Sequence, residues 1–260
     1  MMNKRIALIG GSSAGIGRAI ANGLLEKGLN VIITGRSARL ESTKLELQAK
    51  FPSSSVYAFA TDYSSSEDIS RLIASIEAAG LFPDVLVLNS GGPRPGTFDD
   101  ISIEDWDAAF QQQFKSSIML MKAFLPGMKK KQWGRIINIS SSIAIEPTPG
   151  MILSASYRAM LVNALKSTSL LVAKDGITIN TLCPGAVMTD RLTSLFQQQA
   201  DTAGKSLEEI IKNVAATIPA QRIASPEDFA HMAVFLAAEE ANYITGTVIP
   251  VDGGLVKKSF

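Results

Sequence analysis

The sequence predicts an α/β fold in which helices cover both faces of a parallel β-sheet. First, short runs of β-branched and apolar residues alternate with segments of helical spacing along the whole chain. Second, the first apolar run leads through a glycine-rich turn into a helix. Third, no linker rich in proline, serine or glycine divides the 260 residues, so we expect one domain spanning residues 1–260.

The expected strands are short apolar runs, and the run at residues 30–35 is of the kind that a fully buried parallel strand requires. The expected strands are residues 6–9, 30–35, 56–60, 84–88, 135–139, 177–182 and 247–251. The segments between them carry apolar residues at helical spacing. The expected helices are residues 18–28, 37–50, 66–79, 103–131, 154–174 and 226–238, with a further helical excursion at about 189–217.

The turn after the first strand contains Gly11, Gly15 and Gly17, in the spacing Gly-x3-Gly-x-Gly. A glycine turn that enters a helix presents free backbone N–H groups and the positive end of the helix dipole, which together bind a phosphate or diphosphate. The motif therefore indicates a dinucleotide. Taken alone, it also fits an ordinary connection between a strand and a helix.

The end of the second strand bears on the choice of cofactor. A carboxylate that holds a ribose 2′-hydroxyl is expected there, but the sequence is Thr34-Gly35-Arg36. Arg36 could bind a 2′-phosphate, with Arg18 as a second cation, so NADP(H) is favoured over NAD(H). The alternative is that Arg36 is a solvated loop cation. Asp62 could accept from the adenine amino group or cap a helix.

Five segments together resemble the short-chain dehydrogenase/reductases: residues 11–17, 89–91, 133–141, 184–189 and 243–254. The resemblance implies a seven-stranded, doubly wound Rossmann-type sheet, a nicotinamide cofactor, hydride transfer between a carbonyl and an alcohol, and a homotetramer. It also implies a set of cofactor-binding positions. These are Gly11, Ser12, Ser13, Gly15, Ile16, Gly17, Arg36, Asp62, Tyr63, Asn89, Gly91, Arg158, Pro184, Gly185, Val187 and Thr189.

The catalytic positions of the family fall on residues that only partly match. Its serine corresponds to Ser141, but its tyrosine falls on Ser154 and its lysine on Arg158. Its asparagine on the long central helix falls on Gln113. A serine hydroxyl is a much weaker acid than a phenol, and arginine keeps its proton near neutral pH, so the proton donor must be altered.

Two other side chains could supply the proton. Tyr157 lies three residues after Ser154, one turn along the helix and displaced around it, and could otherwise serve packing or an oligomer contact. Glu146 follows Ser141 in a loop and could otherwise be a solvated carboxylate. Two functions remain open: a reductase with an altered proton donor or a water relay, and a catalytically inactive nucleotide-binding protein.

The remaining expectations concern the substrate and the surroundings. Arg94, between two prolines, could clamp a substrate carboxylate or phosphate, or be a surface cation. The excursion at 189–217 resembles the family's substrate lid and would suit a partly hydrophobic carbonyl or alcohol substrate. A net charge of +1 favours neither nucleic acid nor a membrane surface, and one cysteine and one histidine do not support a metal site. A single cysteine rules out an internal disulfide and fits a reducing compartment, so the sequence predicts a cytoplasmic protein.

Overall fold

A seven-stranded sheet forms the centre of the protein in a computed structural model, which describes residues 4–36 and 38–258. The strand order is β3-β2-β1-β4-β5-β6-β7, and every neighbouring pair is parallel. This confirms the predicted doubly wound sheet. The strands are β1 (Ile6–Ile9), β2 (Asn30–Gly35), β3 (Val56–Ala60), β4 (Val85–Leu88), β5 (Gly134–Ile139), β6 (Ile177–Pro184) and β7 (Val248–Val251).

Helices follow the strands and cover both faces of the sheet. They are α1 (Gly15–Glu26), α2 (Arg39–Lys50), α3 (Ser66–Ala78), α4 (Ile103–Phe110), α5 (Ser116–Lys131), α6 (Ile152–Val172), α7 (Asp190–Ala203), α8 (Leu207–Thr217) and α9 (Pro226–Leu236). Alternate residues of a strand face opposite sides of the sheet. Ile9 therefore packs in the cluster formed with α1, α2 and α9, whereas Leu8 packs against α3, α5 and α6.

The direction of the chain across the sheet positions the crevice. From β1 the chain moves outward through β2 and β3, and it returns to the other side of β1 at β4. Loops leaving β1 and β4 therefore diverge at their carboxyl ends, which is where an open α/β sheet binds its ligands. Of the described residues, no helix has the length and apolar character that a membrane crossing needs.

Most expected elements occur within one or two residues of their predicted bounds, with two informative differences. The helix predicted at 103–131 is interrupted by a π turn at Gln111–Lys115, between α4 and α5. The predicted lid is a pair of helices, α7 and α8, joined through a left-handed Gly204. Helix α2 begins at Arg39, and Ser37, where the sequence predicts its start, lies outside the described residues.

Candidate functional site

Two adjoining cavities lie at the carboxyl ends of the strands and together form one crevice. The first has a volume of about 440 Å³ and extends from the glycine turn to Ser141 and Ser154. The second has a volume of about 260 Å³ and lies beside Arg36. Both are lined by Gly11, Asn89 and Gly91, so they meet between the ends of β1 and β4.

The glycine turn has no room for side chains at the positions where the sequence predicts a diphosphate. A Cβ on Gly17 would lie 2.4 Å from the Gly11 carbonyl oxygen, so any larger residue would force α1 away from the turn. Gly15 has a φ of +55°, which glycine adopts at little cost. Asn89 Nδ2 donates to the Gly10 carbonyl over 2.9 Å and ties the turn to β4. This bare backbone at the start of α1 fits a dinucleotide diphosphate.

The structure corrects the role expected for Ser12. Its side chain is fully buried and lines neither cavity. The hydroxyl donates to the Ile9 carbonyl over 2.8 Å and accepts from the Thr34 backbone N–H over 2.9 Å. Ser12 therefore joins the ends of β1 and β2, while the neighbouring Ser13 lines the second cavity.

Arg36 and Asp62 lie at the second cavity, where the sequence predicts the adenosine part of the cofactor. Their nearest charged atoms are 3.7 Å apart. Burial alone would raise the pKa of Asp62, but hydrogen bonds from Ser64 and the charge of Arg36 lower it below its usual value. Asp62 is therefore anionic at neutral pH. Arg18, the second cation expected here, instead pairs with Glu46 on α2 and lines neither cavity.

Tyr63 supports the second cavity through a buried phenol. Its oxygen lies 2.9 Å from the Thr34 hydroxyl, and burial raises the pKa of Tyr63 to about 12. The phenol is thus neutral and bound to protein. Tyr63 lines the cavity, but its hydroxyl is directed into the protein, toward β2.

Ser141, Ser154 and Arg158 line the first cavity, at the end opposite the glycine turn. The Ser154 side chain is 4% exposed, and its oxygen accepts the Arg158 Nε–H over 3.0 Å. Arg158 Nη1 donates to the carbonyls of Ile139 and Ser140, both over 2.7 Å, and its Nη2 donates to Gly91 over 2.9 Å. Arg158 therefore connects the end of β5 to the loop after β4.

The environment of Arg158 disfavours its charge. Burial, and to a smaller extent the positive charge of Arg191, lower the pKa of Arg158 to about 10. Because the pKa remains well above neutrality, the guanidinium is charged and supplies a positive field beside Ser154. Within the described part of the chain, no residue accepts a hydrogen bond from the Ser154 hydroxyl, so this O–H is free to donate into the cavity.

Gln113 lines neither cavity. The structure therefore does not place it among the catalytic residues, which corrects the expectation from the family resemblance. It is 3% exposed, and its Nε2 donates to the Gly91 carbonyl over 3.0 Å. The preceding residue, Gln112, donates to the Ser90 carbonyl over 3.1 Å. In an α-helix successive side chains diverge by about 100°, but the π turn narrows this angle, so both amides reach one loop. Gln113 is a positioning residue for Gly91.

Tyr157 is directed away from the cavity, into an aromatic cluster. Its ring centroid is 5.7 Å from that of Trp106 and 5.9 Å from that of Phe110, both on α4. Burial, with a contribution from Asp107, raises the pKa of Tyr157. The structure therefore gives no support for Tyr157 as the proton donor, because its turn around α6 leads to a different face from that of Ser154.

Glu146 and Arg94 are also outside the crevice. Glu146 Oε1 accepts from the Lys257 backbone N–H over 3.1 Å and thus contacts the C-terminal segment. Arg94 forms an ion pair with Asp105 over 2.6 Å and donates to the Asp100 carbonyl. Neither side chain lines either of these two cavities, so Arg94 is not placed to clamp a substrate there and Glu146 is not placed to supply the proton.

The remaining expected cofactor positions lie at the first cavity. These are Gly15, Ile16, Gly17, Pro184, Gly185, Val187 and Thr189. Of the lid residues, Leu192 and Leu195 also line it, whereas Phe196 and Ile210 pack α7 against α8. The apolar face predicted for the lid is therefore divided between the cavity and the lid's own core.

Arg191 is a cavity residue that the sequence analysis missed. It lies on the first turn of α7, and its guanidinium donates to the carbonyls of Gly92 and Pro93 in the loop after β4. It bridges the lid and that loop. The one signal in the sequence is its place two residues after Thr189, where the chain enters the lid.

Comparisons with known proteins show which proteins this chain is similar to. Residues 11–256 match a family model described as enoyl-(acyl carrier protein) reductase. The NADPH-dependent reductase BacG of Bacillus subtilis is 37% identical over 257 residues, which are 98% of this chain and 99% of that protein.

Solved structures similar to this chain also include oxidoreductases that are described with NADPH. The structure of YwfH, an NADPH-dependent reductase involved in bacilysin biosynthesis, has a TM-score of 0.91 at 37% identity and covers 98% of this chain and 100% of its own. An NADPH-bound short-chain oxidoreductase of Pseudomonas aeruginosa, described as containing an atypical catalytic center, has a TM-score of 0.87 at 28% identity over 98% of both chains.

Proposed function

Because the chain belongs to the short-chain dehydrogenase/reductase family, we propose that it is an NADPH-dependent reductase of a small carbonyl compound, with an altered proton donor. The observation that carries the proposal is the pair of Ser154 and Arg158 in the cavity. NADPH, when bound, supplies a hydride to the carbonyl carbon, and the oxygen gains one proton to give the alcohol and NADP⁺.

The chain's own residues have separate tasks in this proposal. The backbone at Gly15 and Gly17 holds the diphosphate, and Arg36 holds the 2′-phosphate. Ser154 donates a hydrogen bond to the substrate oxygen, and Arg158 holds the Ser154 oxygen from the other side. Its fixed positive charge stabilises the negative charge that develops on the substrate oxygen.

The weak acidity of Ser154 determines how the proton is delivered. A serine hydroxyl does not release its proton as easily as a phenol, so Ser154 acts mainly as a hydrogen-bond donor to the developing alkoxide. The proton then reaches the substrate oxygen from water in the cavity. Ser141 also lines the cavity and offers a second hydroxyl to the same oxygen.

An inactive nucleotide-binding protein is the second candidate function. A specific observation favours it: four of the hydrogen bonds of Arg158 go to protein acceptors, three of which are backbone carbonyls. An arginine used in this way can be a structural tie between β5 and the loop after β4. In that case the crevice binds NADPH and no substrate is reduced.

Oxidation of NADPH across a panel of ketones, aldehydes and an enoyl thioester distinguishes the two functions. The thioester is included because the matched family model is described as an enoyl reductase. For a reduced compound, we expect Ser154→Ala to lower kcat about 10²- to 10³-fold, as does the loss of one donor to a developing oxyanion, without changing the Kd of NADPH.

Ser154→Thr, which keeps a hydroxyl, is the matched control. Full activity in Ser154→Ala would refute the assigned role of this hydroxyl. Tight NADPH binding without turnover of any compound would favour the inactive protein.

Three further properties belong to this proposal. We propose that residues 1–260 form one domain, because the sheet extends from β1 to β7 without a break. A homotetramer is supported by Leu170 and Leu171 on α6, whose side chains are 72% and 70% exposed. Leu165, also on α6, is buried within the chain and is not available for such a contact. A cytoplasmic location is supported by the single, buried cysteine, Cys183.

A further inference from the structure

Two arginines at the first cavity differ from every other arginine of the chain. The chain has ten arginines, and eight of them form an ion pair with a carboxylate. Of the described residues, only Arg158 and Arg191 lack such a pair, and both line the same cavity. Asp190 is the one acidic residue among the described residues that line it, and it already pairs with Arg39.

The partners of both guanidinium groups are uncharged. Arg158 donates to the Ser154 hydroxyl and to backbone carbonyls, and Arg191 donates to the carbonyls of Gly92 and Pro93. Carbonyl oxygens orient a guanidinium but do not neutralise it. The cavity therefore holds two fixed positive charges with no compensating negative charge from the described residues around them.

The two arginines hold consecutive parts of one loop. Arg158 Nη2 bonds to the carbonyl of Gly91, and Arg191 bonds to those of the next two residues. A Cβ on Gly92 would lie 2.7 Å from Arg191 Cζ, so the guanidinium lies directly against the backbone there. The positive charge of Arg191 is close enough to lower the pKa of Arg158.

This pair lies at the substrate end of the crevice. The diphosphate has its own site at the start of α1, where backbone N–H groups and the helix dipole are directed toward it. Arg158, by contrast, is fixed at the carboxyl end of β5 and touches Ser154. An anion held between the two arginines would therefore lie next to the hydroxyl that receives the substrate oxygen.

We propose that the substrate is an oxo acid whose carboxylate binds between Arg158 and Arg191, with its reacting carbonyl at Ser154. Arg158 contacts Ser154 directly, with its Nε 3.0 Å from the Ser154 oxygen. This contact favours acids whose carboxylate lies close to the reacting carbonyl, as in 2-oxo and 3-oxo acids. Ile143, Met151, Leu192 and Leu195 supply an apolar wall for the rest of the molecule.

This inference rests on the proposed function for its chemistry, but its test needs no turnover. Calorimetric titration of the protein saturated with NADP⁺ measures binding of benzoylformate and of acetoacetate, each beside its methyl ester. NADP⁺ has no hydride to give, so binding is observed alone. We expect at least one acid to bind about tenfold more tightly than its ester, as hydrogen bonds to charged groups imply.

Variants test whether the tighter binding of the acid than of its ester comes from the charge of Arg191. Arg191→Gln keeps a donor for the loop carbonyls but loses the charge, and we expect it to weaken acid binding about tenfold while ester binding is unchanged. Gly92→Ala keeps the charge and displaces the guanidinium, so it should weaken acid binding in the same direction. The matched control is Arg94→Gln, because Arg94 belongs to the same loop but pairs with Asp105 outside the cavity.

Several outcomes would overturn the inference. One is equal binding of acid and ester by the unaltered protein. Another is an equal loss for acid and ester in Arg191→Gln, which would mean that Arg191 only holds the lid. A third is a raised Kd of NADP⁺ in that variant with unchanged acid binding, which would assign Arg191 to the cofactor diphosphate. Tight acid binding without reduction by NADPH would instead leave the inference standing and refute the proposed reductase.

Discussion

Arg158 donates its Nε–H to the Ser154 hydroxyl over 3.0 Å, across one turn of α6. The two side chains therefore position each other, and a change in one alters the contacts of the other. The family resemblance assigns a tyrosine and a lysine to these two positions. The proton donor that we propose therefore depends on both side chains and not on Ser154 alone.

Introducing the tyrosine and the lysine of the family at positions 154 and 158 tests whether the cavity lacks only a general acid. We expect Ser154→Tyr combined with Arg158→Lys to raise turnover of ordinary ketones, by part of the 10²- to 10⁴-fold that general acid–base catalysis contributes. The measurement is NADPH oxidation by each single variant and by the double variant. No gain in the double variant, together with unaltered NADPH binding, would mean that the cavity is built around the present pair.

We expect the preference for NADPH over NADH to depend on Arg36. Its side chain lies at the second cavity and faces Asp62 at 3.7 Å. We expect Arg36→Ala to raise the Kd of NADPH roughly fivefold, since an exposed cation–phosphate contact is partly screened by solvent, and to leave NADH unchanged. Fluorescence titration measures both constants. Arg18→Ala is the control, because Arg18 pairs with Glu46 outside the crevice, and a similar loss there would contradict the assignment.

Gln113 is expected to act through the loop and not on the substrate. Gln113→Ala removes the buried donor to Gly91 and should reduce the free energy of unfolding by about 1–3 kcal/mol. Because Gly91 also binds Arg158, we expect KM to rise more than kcat falls. Urea unfolding and steady-state kinetics measure the two effects. A loss of kcat at unchanged KM and stability would indicate a direct catalytic role.

The buried phenol of Tyr63 predicts a specific alkaline instability. Its pKa is about 12 in the folded protein, against an ordinary value near 10. Between these values the unfolded chain loses the phenolic proton and the folded chain keeps it, so stability falls as the pH rises, by up to about 3 kcal/mol. Urea unfolding at pH 9 and pH 11 should show a smaller fall in Tyr63→Phe. An identical fall in both proteins would contradict this account.

The exposed leucines of α6 predict a subunit contact. Leu171 is 70% exposed, and a charge placed there would be buried in a tetramer. We expect light scattering to give about four times the chain mass of 27.7 kDa, and Leu171→Glu to give a smaller species. Leu45→Glu on α2, also at an exposed leucine, should leave the mass unchanged. A monomer at micromolar concentration would refute the tetramer.

The fold was predictable because its signals are local. Buried parallel strands require runs such as Val31-Ile32-Ile33, and glycine at position 17 follows from the approach of the backbone to the turn. The π turn at Gln111–Lys115 left no comparable pattern. Within this turn, Gln112 and Gln113 contact a loop more than twenty residues earlier in the chain, and helical periodicity does not report such contacts.

The position of a site residue could be predicted where it follows from the strand that precedes it. It could not be predicted where it depends on a partner that is distant in the sequence. Ser141 is the second residue after β5, and it lines the first cavity. Arg94 forms an ion pair with Asp105 on α4, outside the crevice. The sequence of the loop around Arg94 does not reveal this partner. Arg191 was missed because its role depends on carbonyls nearly one hundred residues earlier in the chain.

The π turn has a consequence for how the protein can be changed. A π turn is equivalent to one extra residue in an α-helix, and it leaves the buried Gln111 Nε2 without a hydrogen-bond partner among the described residues. Deleting one residue within Gln111–Lys115 would return α4 and α5 to a regular helix. It would also rotate Gln113 away from Gly91. A change in the length of this segment would therefore reach the crevice through Gln113 and the loop after β4, although the segment itself lines little of the crevice.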